Sequence, residues 1–222
     1  MFGFGKTKPD TAVPATTAAV TDLGTAHGRI SLEKRQVISL TKTPKITVTI
    51  SWPDTTDYDV YALVQYTDGH TETVSQFGTK EDKKFTAITS DGAVKHLGDV
   101  KRGGGAGKKG LADEVIEIAL NPSIVRIVPV AYSAQSNGTG SFRRYKVSMT
   151  IDNGAGDIVE INAKDADNND RVYSCVPGVI TNGDQVRIEK LEAYSKPGSE
   201  RRPTITKTGE VRMDAGPVNA YK

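Results

Sequence analysis

The stretch Lys45-Ile46-Thr47-Val48-Thr49-Ile50-Ser51-Trp52 constrains the fold most, because apolar and polar residues alternate through it without a break. Side chains two apart share a face of an extended chain, so Ile46, Val48, Ile50 and Trp52 predict a strand with one buried face and one watered face. The rhythm returns along the chain. Thr71 to Phe77, Phe85 to Thr89, Ala93 to Leu97, Val115 to Leu120, Ile124 to Tyr132, Ile158 to Ala163, Arg171 to Ile180 and Val186 to Tyr194 all read as strands. Tyr145, Val147, Met149 and Ile151 alternate in the same way, and Asp59 to Tyr66 is dense enough in apolar residues to be central. Asp68-Gly69, Asp91-Gly92, Asp152-Asn153-Gly154 and Asn182-Gly183 supply tight turns between them. No segment keeps a helical period for three turns. Strands at short, even spacing with Gly, Asn and Asp between them predict an all-β protein, a β-sandwich of two mainly antiparallel sheets.

The chain has 222 residues, which suits one large sandwich domain without disulfide help. Residues 9 to 28 are rich in Ala, Thr, Pro and Gly, so 1–28 is expected to be a flexible N-terminal tether, with Phe2 and Phe4 as a docking tag or a frayed end. Residues 29–195 are the expected sandwich, and 196–222 a C-terminal extension in which Ile205 to Met213 predict an edge strand. The balance of 29 Lys and Arg against 27 Asp and Glu argues against a dedicated nucleic-acid-binding protein. One cysteine, Cys175, allows no internal disulfide, which points to a reducing compartment. There is no signal-type apolar segment and no run of about 18 apolar residues, so a cytoplasmic location is expected.

Carboxylates gather at loop and strand ends. Asp57 and Asp59 open the central strand, Asp99 ends His96-Leu97-Gly98-Asp99, and Asp113-Glu114 follows a glycine-rich loop, Gly103 to Gly110. Hard cations such as calcium take several oxygen ligands from such loops. Other motifs fail on context. Gly105-Ala106-Gly107-Lys108-Lys109-Gly110 matches G-x-G-x-x-G, but no βαβ unit surrounds it. Asp165 to Asp170 opens like an EF-hand loop, but Asp170 stands where Gly is required and Val176 where a bidentate Glu is required. His27, His70 and His96 have no zinc-type spacing, Cys175 has no activating neighbour, and no Ser sits in a nucleophile elbow. The chain therefore reads as a binding protein and not as an enzyme. Lys101, Arg102, Lys108 and Lys109 form a basic cluster without stacking aromatics, which reads as a solvated loop before a nucleic-acid site, with an anionic membrane surface or an acidic partner between the two.

Between about residues 30 and 195 the ordered motifs resemble the TerD family of tellurium-resistance and stress-response proteins. The motifs are Val37-Ile38-Ser39-Leu40-Thr41-Lys42, Asp57-Tyr58-Asp59-Val60-Tyr61-Ala62, His96-Leu97-Gly98-Asp99, Asp113-Glu114-Val115-Ile116-Glu117-Ile118 and Ser141-Phe142-Arg143. The resemblance implies a β-sandwich that binds calcium and acts through other proteins of a stress-response assembly or through self-association. It also implies Asp57, Asp59, Asp99, Asp113 and Glu114 as metal ligands. The chain departs from the family pattern at Tyr61, where a third Asp is expected, at Val100, where an Asn is expected, and at Lys108 and Lys109, where acids are expected. At most one weak calcium site is therefore expected, and a metal-free interaction module is the alternative.

Overall fold

The alternating segments form two large sheets in a computed structural model that describes residues 20–100, 110–133, 141–166 and 168–220. The strands in chain order are β1 (Thr21–Thr25), β2 (Arg29–Ser31), β3 (Gln36–Leu40), β4 (Ile46–Pro53) and β5 (Asp59–Tyr66). They continue with β6 (Thr71–Ser75), β7 (Val94–His96), β8 (Leu111–Ile118), β9 (Ile124–Tyr132) and β10 (Ser148–Asp152). The last five are β11 (Ile158–Asn162), β12 (Ser174–Asn182), β13 (Val186–Tyr194), β14 (Thr204–Ile205) and β15 (Val211–Arg212). One sheet runs β1-β3-β13-β12-β9-β5-β6 and the other β2-β11-β10-β4-β8-β7. All pairings are antiparallel except β1 with β3 and β11 with β2. This is the all-β sandwich that the alternation predicts. Among the described residues no helix is long and apolar enough to cross a membrane.

Ile46, Val48, Ile50 and Trp52 of β4 are buried between the sheets, as their spacing requires. They meet Ile116 and Ile118 of β8, Met149 and Ile151 of β10, and Val60, Ala62 and Val64 of β5 in one core. A second apolar cluster lies on the other face of the seven-stranded sheet. Tyr61 and Leu63 of β5 join Phe77, Val128, Val130, Tyr132 and Val176 there, against Ile205, Val211 and Met213. β5 is thus buried on both faces, which explains its continuous apolar character.

The structure departs from the sequence expectations at both ends. Thr21–Thr25 fall within the expected tether but form β1, whose backbone pairs in parallel with β3, and Ala26 behind it is fully buried. Composition alone hides this, because the strand's side chains are exposed and its order comes from backbone pairing. The rest of the expected tether, including Phe2 and Phe4, lies outside the described residues. The C-terminal extension packs across the outer cluster. Its expected edge strand is instead a two-stranded hairpin of β14 and β15, held beside Tyr61 and Phe77 by Arg202. Phe85 to Thr89 forms no strand of its own: it bridges β7 between Ile88 and Lys95, and its Thr86 and Ala87 carbonyls accept from the Ser75 and His96 amides.

Candidate metal centre

β5 begins at Asp59, opposite Tyr132 of β9. In the facing sheet β8 alternates, so Ala112, Glu114, Ile116 and Ile118 point inward while Asp113 points to the opposite face. β7 pairs with β8 through His96 and Ile116, and Gly98, at a φ of 127°, turns the chain so that Asp99 follows at the same end. Carboxylate oxygens of Asp59, Asp99 and Glu114 lie within 4.8 Å of one another. Ligands of one calcium ion sit about 2.3–2.6 Å from it, so they lie at most about 5 Å apart. The three carboxylates therefore meet the spacing of a shared hard cation. Asp59 and Glu114 are 3% and 2% exposed, and Asp99 opens further toward solvent.

Glu114 is the fixed point. Its Oε2 accepts a hydrogen bond from the Val60 amide at 2.8 Å, and its Oε1 accepts one from the Val100 amide at 3.1 Å. Burial raises its pKa above the ordinary glutamate value, while His96 and the two amides pull the other way. His96 Nδ1 accepts a hydrogen bond from the Gly98 amide at 3.1 Å, which leaves Nε2 as the nitrogen that faces the carboxylate. That Nε2 is buried 3.2 Å from Glu114 Oε2, without the alignment of a good hydrogen bond.

Of the five expected ligands, the structure brings together Asp59, Asp99 and Glu114. Asp57 lies half-buried in the turn ahead of β5 and is not one of the grouped carboxylates. Asp113 cannot share a site with Glu114, since adjacent residues of a strand face opposite ways. Both placements follow from where extended backbone begins: Asp59 is in the strand and Asp57 is before it. The burial of Leu111 to Ile118 alternates although their residue types do not, so the outward direction of Asp113 shows only in the structure. Sequence reasoning missed His96 as a neighbour of the cluster. It also treated Val100 only as a lost side-chain ligand, although its backbone amide holds Glu114. Lys101, Arg102, Lys108, Lys109 and most of the glycine-rich loop lie outside the described residues.

The oxygen-rich segment from Asp165 to Asp170 is tied into the protein. The Asp165 amide donates to Glu192 at 2.8 Å, and Asp170 pairs with Arg144 at 3.1 Å. Cys175 is a buried free thiol whose pKa burial pushes up, which leaves it without thiolate character at neutral pH. Neither protein-family models nor curated proteins gave a match to this chain.

Proposed function

We propose that this chain is a calcium-binding β-sandwich module of the TerD-like, stress-response kind, which acts by engaging partner proteins and carries out no chemistry of its own. The convergence of Asp59, Asp99 and Glu114 within 4.8 Å carries this reading. Three carboxylates and little nitrogen suit a hard cation that completes its shell with water or backbone oxygens. Such an ion supplies charge neutralisation. Asp59 and Glu114 hold their places through β5 and β8, and Asp99 is drawn to them, which fixes the chain from Leu97 to Val100 against the sandwich. The Val100 amide bond to Glu114 already starts that docking.

Calcium at a hundredfold excess over its dissociation constant should stabilise the protein by about 2.7 kcal/mol. For a chain of this size that raises the melting temperature by about 5–10 °C. Asp59→Asn should abolish the rise. Equal melting temperatures for the wild-type protein in millimolar calcium and in chelator would contradict the reading.

The same site predicts a pH dependence. The raised pKa of Glu114 means that the ion-free folded protein holds that proton more tightly than the unfolded chain does. The contribution of Glu114 is then full below the ordinary glutamate value and is lost as pH rises through the raised value. Calcium binds the ionised form, so its stabilising effect should grow with pH across that window and fade in acid. Melting curves across that window with and without calcium measure this, and Glu114→Gln should flatten the difference.

The metal-free alternative also has an observation behind it. Two backbone amides on Glu114 give the carboxylate a structural task, joining β5 to the chain after β7. On that reading Glu114→Gln destabilises the fold while calcium changes nothing.

A further inference from the structure

The outward face of the six-stranded sheet carries a concavity of about 300 Å³, lined by polar side chains and Leu111. Strand register sets two rows across it. Asp113 of β8, Ser51 of β4 and Ser148 of β10 are cross-strand neighbours in one row. Thr49 of β4, Thr150 of β10 and Glu160 of β11 are neighbours in the next. Neighbours within a row are about 4.8 Å apart, and the rows about 6.8 Å apart. An ion pair between Arg29 and Glu160 closes one end.

Asp113 separates this face from an ordinary watered sheet. Its Oδ1 is shielded from solvent and has no hydrogen-bond partner. Buried carboxylate oxygens are normally satisfied, so an orphan on a residue that lines a concavity marks a place for a donor. Among the described residues the four Ser and Thr hydroxyls are not engaged by other side chains either.

We propose that this groove is a saccharide-binding site that meets its ligand through hydroxyl groups. Neighbouring hydroxyls of a sugar ring can donate together to one carboxylate, and Ser and Thr can donate or accept as each sugar hydroxyl requires. Other ligand classes fit worse. Phosphate is opposed by Asp113 and Glu160. An apolar ligand strands the hydroxyls. A nucleobase wants a stacking aromatic, and among the described residues no aromatic side chain lines the groove. Arg29 offsets Glu160, which among the described residues leaves Asp113 as the uncompensated charge of the lining, well matched to neutral hydroxyl donors. The proposal is independent of the cation reading, because Asp113 and Glu114 face opposite sides of their sheet.

The test uses the full chain labelled with ¹⁵N and soluble β-glucan, xylan, dextran and chito-oligosaccharide as probes, at millimolar sugar. At least one probe should shift the amides of Thr49, Ser51, Asp113, Ser148 and Thr150 in a saturable way. Asp113→Asn should weaken that binding about tenfold, the effect expected of a hydrogen bond to a charged group. Thr150→Val keeps shape while removing one hydroxyl, and should weaken binding with the fold unchanged by melting temperature. Absence of saturable shifts from every probe overturns the proposal. So does binding that both variants leave intact, and so does a response of the Thr49, Ser148 and Thr150 amides to calcium chloride alone that persists in Asp59→Asn. Asp113→Asn should leave the calcium response at Asp59, Asp99 and Glu114 unchanged, so this site and the cation site can fail separately.

Discussion

Arg202→Ala is expected to lower stability by about 3–5 kcal/mol and to release the C-terminal extension from the sandwich. The guanidinium is 6% exposed and lies 4.8 Å from the Tyr61 ring centre and 5.0 Å from that of Phe77. It donates to the carbonyls of Phe77 and Gly78 at 3.0 and 3.1 Å and to Asn219 Oδ1 at 2.6 Å. Truncation leaves those acceptors buried without a donor, at about 1–3 kcal/mol each, and removes two cation–π contacts. Burial lowers the Arg202 pKa, with Tyr61 and Tyr132 acting against the shift, so relief of that desolvation cost offsets part of the loss. Nearby, Tyr132 donates to Glu200 at 3.1 Å, a second buried contact between the extension and the sandwich. The melting temperature should fall on the order of 10 °C. Hydrogen exchange should show amides after Lys196 losing protection while β4 and β8 keep theirs. A variant with wild-type exchange in the extension would show that the apolar contacts of Ile205, Val211 and Met213 suffice without the arginine.

Lys190→Met is expected to cost about 3–5 kcal/mol, because it strands a buried carboxylate. Lys190 and Glu192 of β13 are fully buried side chains 3.2 Å apart, at one end of the intersheet core. Glu192 also accepts from the Tyr194 hydroxyl at 2.7 Å and from the Asp165 amide at 2.8 Å. A bulge brings the two charges together: Glu192 has a φ of 50°, and the pairing of β12 with β13 shifts register between Val176 and Gly178. Adding Glu192→Gln to Lys190→Met should recover much of the loss, since the pair is then neutral and Gln retains an acceptor. Denaturant unfolding of the two single variants and the double variant measures the coupling. Additive losses would mean that the two charges do not stabilise each other.

The fold was legible wherever burial follows local periodicity. The alternation of β4 was enough to assign Ile46, Val48, Ile50 and Trp52 to the core, and the apolar density of β5 placed it centrally. Long-range contacts were not legible in this way. Lys196 to Pro203 reads as a polar loop, and the distant rings of Tyr61 and Phe77 with the carbonyls of Phe77 and Gly78 make Arg202 an anchor. β1 looks like a linker because its order is supplied by the backbone of β3. In the candidate site, residue type was visible but direction was not weighed. Asp113 and Glu114 are both acidic and adjacent, and the pleat sends them to opposite faces. Asp99 joins Glu114 through the turn at Gly98, and His96 joins through strand pairing, so each depends on geometry beyond the chemistry of its own position.

Sharing of one cation by Asp59, Asp99 and Glu114 can be measured by titrating calcium into chelator-stripped protein while following the amides of Val60 and Val100, the two donors to Glu114. Both resonances should shift saturably with one common dissociation constant of roughly 10⁻⁵ to 10⁻³ M, and the shifts should be absent in Asp59→Asn. Resonances that stay in place through millimolar calcium would contradict it and leave Glu114 as a structural link between β5 and the chain after β7.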